Sequence, residues 1–512
     1  MSVQTPDSGQ RPPVPWQNPR WTVAHRPVRS VLRLGRREVP VSVVAAAALA
    51  LCVPVAVGAA LAPWPTTFVV VVVATIVAVV LRPRLATYIY LGLTPLIVGL
   101  GRGSVVPGIR PNELVLAVLL SGVALGPVLR WVRGERGRPV LHPVDWVAMS
   151  LAVTSSVTTV LWMFARGDSP VRDDALHALT MWKILALYVL VRLTIRTSAQ
   201  ARTAALIAMI SGSVVAVIGI AQAVGVGPVV DALNTAMPGE NRKVLTSNRA
   251  SSTIATPIGF ADHMMLCGAL ALGWLLVYRT RRALAAAAVA LFALATLASG
   301  QISAALGLVT MVAVFGFMLR RAGLVILLGV PGAAAALVAL QPVVAARMEA
   351  LDPATGLPVS WTGPYGRISN LTTHILPRLQ EHANWMLGVQ PCARVPAPES
   401  WREYVYIESG YAWLLWCGGL PLLLAFGVFV LLVWRAGHQV GERASGGWLV
   451  HAVAATGGIL TIAALMVLDP HLSIRGSSDL LFPIVAITVT AHQLHPRPPR
   501  SLPHRYPRRR QT

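Results

Sequence analysis

The chain has 512 residues, 55% of them hydrophobic and only 12% charged, with a mean hydropathy of +0.63. A water-soluble domain needs more charge than that to cover its surface, so the composition excludes a soluble globular protein and points to an all-α polytopic membrane protein. The net charge of +23 does not mark a nucleic-acid binder. The arginines cluster in the N-terminal arm, in short connectors between apolar runs and in the tail Arg497–Arg510, the pattern of topology signals and contacts to anionic lipids.

Residues 1–40 are polar and rich in Pro and Arg, and they lack the apolar core of a cleavable signal peptide. They predict a disordered basic arm. Residues 41–494 predict a transmembrane helical domain, and 495–512 a basic tail. Within the domain the apolar segments are 41–62, 66–81, 85–100, 113–130, 145–164, 176–195, 203–224, 257–278, 283–298, 302–319, 323–341, 409–434, 447–468 and 479–494. A run of about 20 apolar residues crosses the hydrocarbon core as a helix, and lipid leaves the backbone no other way to satisfy its polar groups. The two short segments before Arg82 form either two spans or a hairpin that does not fully cross. The expectation is therefore about 12–14 transmembrane helices.

With the N-terminus placed in the cytoplasm, 29 of the 43 Lys and Arg residues fall on the cytoplasmic side and 13 outside, with Lys183 inside a helix. Eight of the outer 13 lie in the two longest loops, 225–256 and 342–406, where charge says little about orientation. The expected topology is multi-pass in a plasma membrane, with both termini cytoplasmic and both long loops extracytoplasmic. Only Lys183 and Lys243 are lysines, and Ala, Val and Gly abound, a composition associated with high-GC bacteria. The 65-residue loop 342–406 carries Trp361, Trp385, Trp401, Tyr365, Tyr404 and Tyr406 with eight prolines. That is too aromatic for a disordered linker, so a folded extracytoplasmic loop is expected. From Ile368, the spacing of Leu371, Ile375 and Leu379 predicts an amphipathic helix lying on the membrane face.

Cys52, Cys267 and Cys417 lie in apolar runs and only Cys392 in a long loop, so neither a disulfide framework nor zinc spacing is present. Soluble-enzyme motifs are missing: no phosphate-binding Gly loop, no His-Glu-x-x-His, no Gly-x-Ser-x-Gly. Candidate chemistry sits instead at the outer membrane face. Arg249, in Ser247-Asn248-Arg249-Ala250-Ser251-Ser252-Thr253 ahead of a helix starting near Pro257, suits an anion such as pyrophosphate, with hydroxyl donors and a helix N-terminus beside it. It equally suits headgroup anchoring. Arg367 stands at the start of the amphipathic helix, placed to point inward, whereas Arg378 falls where a solvated or lipid-facing charge is expected. Glu408, where the long loop re-enters the bilayer, is either a general base with a raised pKa or a helix N-terminal acid favoured by the dipole.

Lys183 is an ionisable group inside a span and by default a functional candidate, unless it snorkels. Asp262 and His263, about a turn into the eighth helix, either line a cavity or form a structural pair. The acidic pair Asp173-Asp174 offers too few ligands for a metal.

Three stretches together resemble the O-antigen ligase and O-antigen polymerase family of bacterial envelope glycosyltransferases. They are Arg249 through His263, Gly366-Arg367 through Gly388-Val389, and Glu408-Ser409-Gly410-Tyr411 through Gly418-Gly419-Leu420-Pro421. The likeness covers roughly residues 245–435. It implies a metal-independent transfer, without cofactor, of a glycan from undecaprenyl pyrophosphate to a glycan or lipid-borne sugar, on the outer face of the plasma membrane. By position, Arg249 and Arg367 would hold the pyrophosphate leaving group and Glu408 would be the base, with inversion at the anomeric carbon. Lys183, Asp262, His263, Arg378 and Tyr411 would contribute to substrate binding. Two departures matter. Ligases of the family carry a histidine where this chain has Glu408, which turns the resemblance toward polymerases, although His374 and His382 are nearby. The family's Ser-Arg-Gly appears here as Ser299-Gly300-Gln301. The rival class is a transporter or flippase of lipid-linked oligosaccharide, which should keep its loops short and place polar groups at helix breaks near the midplane.

The topology is tested with single cysteines at Ser360 and Ser501. A membrane-impermeant thiol reagent added to intact cells should label position 360 and spare position 501; labelling of 501 overturns the orientation.

Overall fold

The computed structural model describes residues 31–34, 37–40, 62–132, 140–237, 249–319, 341, 345, 348–349, 351–356, 358–363, 366–400 and 402–495. Two compact units divide the chain, Met1–Val72 and Val73–Thr512. In the first, the arm expected to be disordered contains a short antiparallel hairpin of β1 (Val31–Leu34) and β2 (Arg37–Pro40). Helix α1 (Pro63–Leu81) leads from the first unit into the second. Apart from an end residue each, the predicted segments 41–62 and 323–341 and the tail 495–512 lie outside the described residues.

The second unit is helical. Its main elements are α2 (Arg84–Ile97), α3 (Pro111–Val132), α4 (Pro143–Ala165), α5 (Arg172–Thr194), α6 (Ser198–Ala223), α7 (Gly227–Ala236), α8 (Pro257–Val277), α9 (Arg282–Ala298) and α10 (Ile302–Leu319). They continue with α11 (367–380), α12 (Gly410–Arg443), α13 (Gly447–Leu465) and α14 (Ser478–Leu494). Each remaining predicted apolar segment falls on one of these helices, with bounds shifted by a few residues. Among the described residues eight helices are long and apolar enough to cross a membrane, the signature of a multi-pass membrane protein: α1, α3, α4, α5, α6, α8, α12 and α13.

Helices pack closely because small residues face large ones. A Cβ on Gly212 would lie 2.6 Å from the Cys267 sulfur, and one on Gly219 2.4 Å from the Phe260 ring. Seven residues apart on α6, these two glycines let α8 approach. The helices run up and down, so their ends gather in two places. At one end, Tyr188 and Arg192 of α5 bind Asp145 of α4, with Arg192 Nη2 3.0 Å from the carboxylate, and Arg192 also donates to Thr490 of α14 at 2.9 Å. Here Arg202 lies over the Tyr278 ring. At the other end meet the ends of α2, α6, α9 and α13 and the starts of α8, α10, α12 and α14.

The segments between α10 and α12 are structured. Helix α11 contains a π turn at Leu371–Ile375 and buries Ile375 and Leu379, while Ile368 and Leu376 face out. A second hairpin pairs β3 (Arg394–Pro396) with β4 (Tyr404–Tyr406), and Arg394 ties it to Asp173 at 2.8 Å.

The Arg192–Asp145 pair is almost enclosed. Removing one partner from such a pair costs about 3–5 kcal/mol because the other charge is left buried alone. Arg192→Met should lower the thermal midpoint sharply, and adding Asp145→Asn should return most of the loss. Equal losses in the single and double variants would refute the pairing as the cause.

Candidate functional site

At the end where α8, α10 and α12 begin, a cavity of about 230 Å³ is lined by Arg249, Gln301, Trp361, Arg367, Glu408 and Asp469, among others. The three candidates separated by up to 159 positions in the sequence, Arg249, Arg367 and Glu408, therefore share one space.

Each is placed by backbone chemistry. Residues 249–251 are non-helical and lead into a short 3-10 turn at Ser252–Ile254, so their N–H groups need partners. Gln222 at the end of α6 supplies them: its buried side-chain oxygen accepts from the N–H of Ser251 at 2.9 Å and of Ser252 at 2.8 Å. Ala250 N–H donates to the Ala298 carbonyl, and Arg249 Nε donates to the Ser299 carbonyl at 3.3 Å. The hydroxyls expected beside Arg249 as anion donors are committed elsewhere. Ser252 donates to Val215 O, Thr253 donates to Pro95 O, and the Ser251 hydroxyl accepts from the Gln222 amide. In a buried loop the carbonyls of neighbouring helices claim these hydroxyls first, so Arg249 and not its neighbours is what faces the cavity.

Arg367 opens α11, after Gly366 at its N-cap. Its guanidinium is held on three sides. Nη2 donates to both oxygens of Asp469 at 3.0 and 3.1 Å, Nη1 donates to Leu468 O at 3.0 Å, and Nε lies 3.2 Å from a Glu408 oxygen. The Trp361 ring lies under it with its centroid 5.5 Å away, a cation–π contact. The two carboxylates differ in freedom: the Asp469 side chain is 5% exposed, that of Glu408 40%.

The pKa of each carboxylate is raised from its ordinary value. Burial raises Glu408, Arg367 opposes this, and the Asp469 charge raises it further. For Asp469, burial again raises the pKa, against the pull of Arg367 and His471. Behind Asp469, the His471 ring bonds the Asp262 carboxylate through Nδ1 at 2.8 Å, both side chains 1% exposed. Burial favours neutral His471, but the charge and hydrogen bond of Asp262 together with the Asp469 charge outweigh it and the net shift is upward.

Of the other sequence candidates, Asp262 stands behind the cavity in this pair and does not line it. His263 is buried with Nδ1 3.0 Å from the Gly476 carbonyl. Lys183, half-buried on α5, acts electrostatically on Asp479 of α14. Arg378 donates to the Pro396 carbonyl at 3.1 Å in an exposed position, and the Tyr411 hydroxyl donates to Ala463 O at 2.8 Å. None of these four lines the cavity. Sequence reasoning missed Asp469, Gln301 and His471, and it gave Trp361 no role in a site. The signal for the first lay in Leu468-Asp469-Pro470-His471, a carboxylate at the tip of an apolar run in a chain with only 20 acidic residues. Compared against protein-family models and against curated proteins, the chain matches none, so the reading of the site rests on its geometry.

The cluster makes opposite demands on Glu408 in two variants. Asp469→Asn removes a like charge and should lower the Glu408 titration midpoint. Arg367→Gln removes the stabilising cation and should raise it. Infrared difference titration of the protonated carboxyl band measures both, and unmoved midpoints in the two variants would dissolve the proposed coupling.

Proposed function

We infer that the protein transfers or polymerises a glycan carried on undecaprenyl pyrophosphate, as a metal-independent glycosyltransferase of the O-antigen polymerase/ligase type. In this reading about 12–14 helices span a bacterial plasma membrane, both termini are cytoplasmic, and residues 342–406 form an extracytoplasmic loop over the cavity. One observation carries it: two arginines and a carboxylate with a raised pKa, from three distant stretches, converge on one cavity at a helix-end face.

The geometry supports the following chemistry. Glycosyl transfer from a diphosphate needs cationic donors where negative charge develops on the leaving group and a base for the acceptor hydroxyl. Arg249 faces the cavity as one such donor. Arg367 is the other, reached by exchange: its contact to Glu408 is a single approach of Nε to one oxygen of an exposed carboxylate, whereas the enclosed Asp469 turns both oxygens to Nη2. The enclosed pair is screened less by water and is the stronger of the two. An arriving phosphate oxygen therefore displaces Glu408 and leaves Asp469 in place. The released Glu408 takes the proton of the acceptor hydroxyl as that oxygen bonds the anomeric carbon. The carbon–oxygen bond to the diphosphate breaks, and its electron pair leaves with the diphosphate between the arginines.

Purified protein in lipid vesicles, supplied with undecaprenyl-pyrophosphate-linked repeat units, tests the reading. Arg249→Lys and Arg367→Lys should fail nearly as badly as the alanine variants, because lysine keeps the charge and loses the fork. Glu408→Gln should keep donor binding and lose on the order of 10²–10⁴-fold in transfer rate, the usual contribution of a general base. Full activity of both alanine variants would overturn the role given to the arginines, and movement of the lipid-linked glycan across the bilayer with no new glycosidic bond would overturn the reading in favour of a transporter.

A further inference from the structure

Helix α12 is broken nine residues from its start. Gly419 sits at φ 63°, ψ −159°, and Pro421 follows. In an unbroken helix the Leu420 N–H would donate to the Trp416 carbonyl, and the Cys417 carbonyl would accept from residue 421. Proline has no N–H to give. All three freed groups are taken up from outside the helix. Val389 N–H donates to Trp416 O at 2.7 Å, Leu420 N–H donates to Trp385 O at 2.9 Å, and the Thr159 hydroxyl of α4 donates to Cys417 O at 2.7 Å. The segment 384–389 is thus spliced into the hydrogen-bond ladder of α12. Glycines make room for it: a Cβ on Gly419 would lie 2.3 Å from Met386 O, and one on Gly388 2.9 Å from Gly418 N.

Two helices independently fix the depth of this splice. Helix α12 carries no charge before Arg435, and counting about 20 residues back from there ends the hydrocarbon core near Leu415, above Gly419. In α4 the uncharged stretch runs from Trp146 to Ala165, between Asp145 and Arg166. Thr159, with the Leu387 carbonyl 3.1 Å from its hydroxyl, lies six residues inside that stretch. At this depth Trp385 and Met386 are 46% and 49% exposed. They continue two outward apolar faces, Leu161 and Phe164 on α4 and Leu420 and Leu424 on α12, all exposed.

We propose that 384–389 is a membrane-inserted wedge whose partner is the acyl-chain region of the bilayer, with Trp385 and Met386 in contact with lipid. Non-helical backbone is tolerated at membrane depth where protein groups satisfy it, and here they do. Besides the bonds already named, Arg166 donates to the Val389 carbonyl at 2.7 Å and to the Asn384 side chain. The Trp385 and Gly388 N–H groups bond Leu379 O and Asn384 O. The wedge belongs to a stretch whose hydropathy places it wholly outside the bilayer, and it directly follows the helix that begins with Arg367.

The test uses the full chain in phosphatidylcholine–phosphatidylglycerol vesicles. Single cysteines at Trp385 and Met386, in a background with the four native cysteines replaced by alanine, carry a nitroxide. Its collisions with oxygen, which concentrates in lipid, are compared with those of a water-soluble nickel chelate. Oxygen should dominate at both positions and the chelate at Glu381→Cys and Glu399→Cys on the same loop. Chelate access at 385 and 386 overturns the proposal, and so does exclusion of both relaxants, which would place a second copy of the chain on the wedge. The unmodified protein gives a second measurement independent of cysteine replacement. A phospholipid with a photoactivatable diazirine in its acyl tail should label the peptide holding Trp385 and Met386, and absence of label there counts against the wedge.

Discussion

Hydrocarbon supplies no hydrogen bonds, so wherever this chain departs from helix near the membrane some named group must replace the lost partner. Among the described residues three such departures show their replacements. Gln222 bonds two consecutive N–H groups of the stretch that carries Arg249. Thr159 bonds the carbonyl that Pro421 leaves empty, and the Leu468 carbonyl just past the end of α13 receives Arg367. The residues that repair the backbone are thereby the same ones that shape the cavity end of the helices. Irregular backbone is what lets three polar side chains reach one space there, since a set of uninterrupted apolar helices would end in uniform caps.

The site rests on an uneven sharing of one cation. Arg367 serves two carboxylates, and burial resists the ionisation of both. Asp469 gains more from the guanidinium because it is enclosed and doubly bonded, while Glu408 is more open and singly bonded. This asymmetry separates a tightly held carboxylate from a more accessible one. Further back, the Asp262–His471 pair bonds side chain to side chain inside the protein. Its ring acts on Asp469 electrostatically, against the effect of burial.

Much of the helical layout was legible because its signal is local. Twenty apolar residues in a row need no tertiary information to be recognised, and α1 to α6, α8 to α10 and α12 to α14 fall where those runs lie, whereas α7 and α11 form inside the segments expected as loops. The inward placement of Arg367 was legible for the same reason, from the 3.6-residue spacing of Leu371, Ile375 and Leu379 that fixes which face of α11 is buried. Asp469 was legible only as a scarce carboxylate at the tip of an apolar run, not as a member of the site. A single Asp in a short connector has the same local appearance as any solvated turn residue, and only the fold brings it against Arg367, 102 positions earlier. The hydroxyls of Ser251, Ser252 and Thr253 misled for the converse reason. Proximity in sequence made them companions of Arg249, but the carbonyls of Val215 and Pro95 and the Gln222 amide took them.

Helix α11 connects these themes. Its first residue is held by Asp469, whose two oxygens both accept from Arg367 Nη2, and its last turn passes into the segment spliced into α12, where Asn384 donates to the Arg378 carbonyl at 2.8 Å. At about 1.5 Å per residue, its 14 residues bridge about 20 Å between a charged cavity and an apolar edge. A helix pinned at both ends transmits displacement along its axis better than a loop does, because its internal hydrogen bonds must break before it shortens. The π turn at Leu371–Ile375 is the one irregularity along that line, and it lies at the register change between the exposed Ile368 and the buried Ile375. The position of Arg367 is therefore set jointly by an ion pair on one side and by the packing of 384–389 against α4 and α12 on the other.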